Sequence, residues 1–118
     1  MRDYSDEEVA RVCHGAVRGF QCVLHDPDPS QPWDAEHSDV KDIAIAGVGL
    51  ARRGASPREL HEAWCAAKQA AGWTWGPHKD WQHKTHPDLM PWFDLPPQKK
   101  RKVIIFQMNV LATLADIT

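Results

Sequence analysis

Residues His61 to Trp92 read HEAWCAAKQAAGWTWGPHKDWQHKTHPDLMPW and hold five of the chain's six Trp and four of its seven His. Just upstream, Ser56-Pro57-Arg58-Glu59 aligns an N-cap Ser, a Pro at the first helical position and a Glu at the third, a strong helix start. Leu60, Trp64, Ala67 and Ala71 then fall on one face, and Gly72 supplies the stop. Trp73-Thr74-Trp75 alternates as a strand does. With Gly76-Pro77 and the later Thr85-His86-Pro87 it predicts a small two-stranded ribbon, too short to stand without helices behind it. One of Trp73 and Trp75 is expected to be buried against the helices, Trp81 to be exposed in a polar turn, and Trp92 to be core.

Outward from this stretch the chain reads as helices. Ser5 and Glu8 form a capping-box pattern, and Val9, Val12, Cys13, Ala16, Val17, Phe20 and Leu24 follow at helical spacing, which predicts a helix from about Asp6 to Leu24. Three prolines in nine residues then enforce an extended connection that ends on Trp33, read as a core plug. Val40, Ile43, Ala44, Gly47, Val48 and Ala51 predict a second helix from about Ala35 to Arg52, whose glycines weaken it but permit close packing. Asp94 is positioned to cap a last helix that tolerates Pro96 and Pro97 in its first turn and runs to about Ala115. That helix is apolar over a wide arc: Val103, Ile104, Ile105, Phe106, Met108, Val110, Leu111 and Leu114. The predicted fold is mainly α, four helices with a small two-stranded β ribbon, in one domain over 1–118 with its core in about 5–115.

The formal net charge of -2 gives no global attraction to nucleic acid or an anionic membrane, and neither is an expected partner. No run approaches the roughly 18 apolar residues of a membrane span, and the first residues are too acidic for a signal peptide, so a cytoplasmic address is expected. Cys13, Cys22 and Cys65 make an odd count without a Cys-x-x-Cys pair, which argues against a disulfide framework. Cys13 and Cys22 lie nine residues apart on one helix and face nearly opposite ways, so no metal site is expected.

Leu60-His-Glu-Ala-Trp64, Gly72-Trp-Thr-Trp-Gly-Pro77, Lys79-Asp80, Lys84-Thr-His-Pro87, Leu89, Pro91 and Leu95-Pro96 together resemble the repeat domain of the ryanodine receptor, the RyR domain. Arg11-Val-Cys-His14 and the Pro32-Trp33 loop resemble the stand-alone versions of bacteria and phages, so the resemblance covers roughly Val9 to Leu111. It implies a helical module with a small ribbon that binds an adenine nucleotide or a nucleotide-derived signal, ADP-ribose-like or cyclic, with Trp64 in the place of the helical Trp that stacks on the base. It further implies a sensor or sponge in conflict between phage and host. Relatives carry a Glu and an Asn shortly after the first-helix His, where this chain has Gly15 and Val17, and an Asp where it has Val103.

The expected ligand-binding residues are His61, Trp64, Lys68, Trp75, Lys79, Asp80, Lys84 and His86. A Trp face stacks a base for about 1–3 kcal/mol, and Trp64 sits equally well at core spacing with Leu60 and Ala67. Lys68, one turn on, is placed to meet a phosphate or to lie in solvent. Lys79, Lys84 and His86 cluster with Asp80 as an anion cradle, or Asp80 ties its own turn to backbone amides. Gln98-Lys-Lys-Arg-Lys-Val103 is similar to a nuclear import peptide or nucleic-acid patch, but such a run within a helix start is more often a solvated face, where cations near the positive helix end can recruit an anion.

Catalysis and cofactors are not expected, since His61-Glu62 and His86 lack a zincin, P-loop or nucleophile-elbow context. A scaffold domain without a small ligand is the competing reading, and a nucleotide hydrolase a third. The broad apolar surface of the last helix suggests a homodimer.

Overall fold

The computed structural model describes residues 4–114. Four helices run in chain order: α1 (Asp6–Val23), α2 (Ser38–Arg52), α3 (Pro57–Ala70) and α4 (Pro97–Leu114). Two strands, β1 (Thr74–Trp75) and β2 (Thr85–His86), lie between α3 and α4, and short 3-10 turns at Trp33–Ala35 and Trp92–Asp94 precede α2 and α4. The mainly α fold with a two-stranded ribbon is the one that the sequence predicts.

Both predicted capping boxes form. Ser5 and Ser56 each accept the N3 amide through Oγ, and Glu8 and Glu59 reach back to the N-cap amides at 2.9 and 3.0 Å, which satisfies donors that a helix start leaves without intrahelical partners. Three helices close by one device. Gly72 N–H bonds Gln69 C=O and Trp73 N–H bonds Lys68 C=O, and the same pair of bonds recurs from Gly54 and Ala55 after α2, and from His25 and Asp26 after α1. This Schellman geometry needs a left-handed residue after the cap. Gly72 and Gly54 supply it at φ +91° and +94°, and His25 adopts it at φ 55° without being glycine.

Two helix starts differ from expectation. Ala35 belongs to a 3-10 turn, and α2 begins only at Ser38. Asp94 does not cap α4; it ends the second 3-10 turn, and α4 starts at Pro97, with Lys99 and Lys100 amides returning to Pro96 C=O. Two consecutive prolines have no N–H for a side chain at Asp94 to cap. The expected end of α4 at Ala115 lies outside the described residues.

The core joins α1, α2, α3 and α4 through Val9, Ala10, Cys13, Val48, Ala51, Leu60 and Val110, with Trp33 inserted from the connection as predicted. At Gly47 a Cβ would stand 3.3 Å from the Phe106 ring, so this glycine sets how closely α2 approaches α4. Arg52 ties the two chain-distant ends of α1 and α2 through Asp6 and the Tyr4 carbonyl. The cysteines occupy three depths: Cys13 is buried, Cys65 half-buried and Cys22 exposed.

The ribbon is parallel, with Thr74 opposite Thr85 and Trp75 opposite His86. Trp73 is buried while Trp75 is 56% exposed. Trp81 is not free in its turn: it stacks on His37 at 3.6 Å and meets Trp73 edge-on at 4.8 Å. Trp92 is half-buried rather than core, with the Lys100 ammonium 5.6 Å from its ring.

Candidate functional site

Where α1, α2, α3, the ribbon and α4 converge they leave a cavity of about 410 Å³. Its apolar walls come from Val17 on α1, Ile43, Gly47 and Leu50 on α2, Leu60 and Trp64 on α3, and Leu95, Val103 and Phe106 around α4. Val17 and Val103 occupy two of the positions at which relatives of the resembled family carry polar residues, and both face this space. The polar lining includes Lys68, Lys79, Lys99, Lys102, His14, His61, His86 and Asp88. An apolar cleft with a few convergent polar groups is the usual form of a small-molecule site.

Helix α3 projects Trp64 and Lys68 to the same side, four residues apart. Trp64 is half-buried and lines the cavity, between the core and the exposed readings of the sequence. Its ring lies nearly parallel to His61 at 5.8 Å and nearly perpendicular to His86 at 4.9 Å. Lys68 is only 3% exposed, so the solvated reading fails. Its Nζ lies 4.4 Å from the Trp73 ring centroid and 5.3 Å from that of Trp81. No carboxylate among the described residues stands within ion-pair distance of it. Burial first, and then the Lys79 charge, hold the Lys68 pKa below the ordinary lysine value.

On the α4 side, Lys99 and Lys102 converge on Asp88. Lys99 Nζ is 3.1 Å from Oδ1 and Lys102 Nζ is 3.0 Å from Oδ2. Burial opposes the Asp88 charge, but the two ammoniums outweigh it and keep the carboxyl below its usual range. Two half-buried cations against one buried carboxylate leave a positive balance at the cavity wall. The sequence reading missed these residues, because their pairing spans a loop; the basic run at the start of α4 was the available signal.

The remaining expected site residues divide. Lys79 and His86 line the cavity. His61 also lines it, yet its Nε2 donates to the Met90 carbonyl at 2.7 Å. Cys65 Sγ lies 3.3 Å from the same nitrogen, and burial raises its pKa, so this Cys-His pair is not arranged as a thiolate with a free base. Lys84, Asp80 and Trp75 lie outside the cavity. Lys84, at φ 52°, turns its ammonium back to the Ala71 carbonyl at 2.9 Å and serves the end of α3. Asp80 accepts the Gln82 and His83 amides and pairs with the His83 ring at 2.7 Å, the turn-tying reading. Trp75 Nε1 donates to the Pro87 carbonyl.

At the α1 edge, His14 Nε2 donates to the Gln31 carbonyl at 2.7 Å, and Glu36 approaches it at 3.4 Å without hydrogen-bond geometry. Among the described residues no group of three His, Cys, Asp or Glu side chains is arranged to hold a metal ion, and no helix is long and apolar enough to cross a membrane.

A family model described as the RyR domain matches residues 39–117, which take in α2 from its second residue, α3, the ribbon, α4 and most of the cavity wall. No curated protein and no solved structure matches the chain. The match takes in more than half of the 118 residues and spans the stretch that carries the motif resemblance: the chain belongs to the RyR domain family.

Proposed function

We propose that the cavity binds a nucleotide-derived small molecule, a base stacking on Trp64 and a phosphate meeting Lys68 with help from Lys79. The observation that carries this reading is Lys68. An ammonium withdrawn from water without a counterion is costly to keep, and an anionic group in the adjoining cavity supplies the missing partner through a charge-assisted hydrogen bond. Trp64, one turn away, offers part of a flat apolar face for the base. The ligand class is that implied by the family resemblance, an adenine nucleotide or an ADP-ribose-like or cyclic derivative. On this reading the domain is a binder rather than a catalyst, and acts as a sensor or sponge for such a signal in phage-host conflict.

The test is a thermal-shift series with AMP, ADP, ATP, ADP-ribose and cyclic nucleotides. A ligand that binds only the native state at 100 times its Kd stabilises the protein by about 2.7 kcal/mol. Stabilisation by phosphorylated compounds beyond that by adenosine supports the reading, and no response to any of them overturns it. Product analysis of the same samples separates binding from hydrolysis.

One observation favours the second reading, a protein-interaction domain. Ile104, Met108, Leu111 and Leu114 are exposed along α4, at spacings that place them on one stripe. A second copy of this chain is the occupant we propose for it.

A further inference from the structure

His86 ends β2 and lines the cavity, with its ring held on several sides. Trp64 lies 4.9 Å from it at 77°, and Trp73 6.5 Å from it at 63°. The Asp88 backbone N–H donates to its Nδ1 at 3.0 Å. An imidazole nitrogen that accepts a hydrogen bond carries no proton, so the proton of the neutral ring resides on Nε2. That Nε2–H meets no acceptor among the described residues, and it is not among their sealed, unpartnered polar atoms. It is a donor left over after the fold has been satisfied.

The charged groups around the ring are Asp88, which follows it in the chain, Lys79 from the ribbon turn, Lys102 on α4 and Lys68 on α3. Burial is the largest influence and disfavours the cation. Asp88 opposes it, but the three ammoniums add to it, and the pKa falls to about 3. Lys99 and Lys102 pair with Asp88, and Lys68 and Lys79 are the cations assigned to the phosphate. An uncharged donor in their midst is suited to an uncharged acceptor.

We infer that His86 is a specificity-determining residue that donates from Nε2 to an uncharged acceptor, a ring nitrogen or carbonyl oxygen, on the base stacked against Trp64. The inference rests on the nucleotide reading and adds base recognition to it. The ring lines the same cavity as Trp64, 4.9 Å away and nearly perpendicular to it, within reach of a flat group on that indole. Phosphate recognition is then left to the lysines.

The experiment compares AMP with ribose 5-phosphate, which lacks the base, by calorimetric titration of wild type, His86→Phe, His86→Gln and Lys68→Met. His86→Phe keeps a ring without a donor and is expected to lose about tenfold in AMP affinity, the scale of one neutral hydrogen bond, with ribose 5-phosphate unchanged. His86→Gln keeps an uncharged N–H and should recover most of the loss. Long-range proton-nitrogen spectra of the wild type should show Nε2 protonated without titration between pH 5 and 8, and shifted by AMP. AMP binding unchanged in His86→Phe but lost in Lys68→Met overturns the inference and leaves the nucleotide reading standing. A proton on Nδ1, or a titration near pH 6.5, also overturns it. Failure of wild type to bind AMP or any other compound of the thermal-shift series removes both.

Discussion

The Lys68 ammonium stands 4.4 Å from the centroid of the buried Trp73 ring, and no carboxylate among the described residues answers it. The aromatic face compensates part of its desolvation, by about 2 kcal/mol or more where water is excluded, and leaves its hydrogen-bonding capacity for a ligand. Lys68→Met keeps the apolar stem and removes the charge. We expect stability within about 1 kcal/mol of wild type, since replacing a buried charge with a hydrophobe of similar volume is often neutral, and AMP affinity lower by about 10- to 100-fold, with adenosine unchanged. Urea unfolding and calorimetry read the two effects separately. A large loss of stability would show that the ammonium serves the Trp73–Trp81 corner instead.

Trp64 and Trp73 should separate under truncation. Trp73 is 2% exposed, and Trp73→Ala should cost about 3–5 kcal/mol through the cavity it leaves. Trp64→Ala removes a half-buried ring from the wall of an existing cavity, so it should cost less and abolish AMP binding. A folded Trp64→Ala variant that binds AMP normally would remove Trp64 from the site.

The helical frame was legible because its signals are local. Ser5 with Glu8, and Ser56 with Pro57 and Glu59, declare their helix starts within four residues, and Gly72 declares a stop. What escaped depends on partners far along the chain or on backbone geometry. Lys99 and Lys102 looked like a solvated run until Asp88 met both. Lys84 looked like a ligand cation, but its left-handed backbone aims it at Ala71. His25 closes α1 in a conformation usually given to glycine, so no residue type announced it. For the site, Trp64, Lys68, Lys79, His61 and His86 were named from sequence and do line one cavity.

Stability should fall in mild acid through His86. Its folded pKa of about 3 lies below the ordinary 6.5, so between these values the unfolded chain binds a proton that the folded chain refuses. Stability therefore falls as pH drops through this window, by at most about 1.4 kcal/mol per pH unit. Asp88, also held low, adds its own loss only below its ordinary 3.8. Urea midpoints from pH 7 to pH 4 should show this slope, and His86→Gln should flatten it. An unchanged slope in that variant would assign the effect to other groups.

Pairing through α4 is tested by mass. Light scattering at micromolar concentration should give twice 13.4 kDa, and Met108→Lys, which puts a charge in the middle of the exposed stripe, should give 13.4 kDa with helical content unchanged. A wild-type mass of 13.4 kDa would remove the homodimer.

The three cysteine depths turn the molecule into its own recorder of opening. A thiol reagent added to the native protein should mark Cys22 at once and Cys65 more slowly. Cys13, buried, bonded to the Phe106 carbonyl and raised to about pKa 11 by desolvation, should be marked only when α1 parts from α4. The order of labelling then distinguishes local fraying from loss of the whole core, without any added probe. A ligand seated in the cavity, whose walls include Phe106 itself, should slow the last mark while leaving the first untouched.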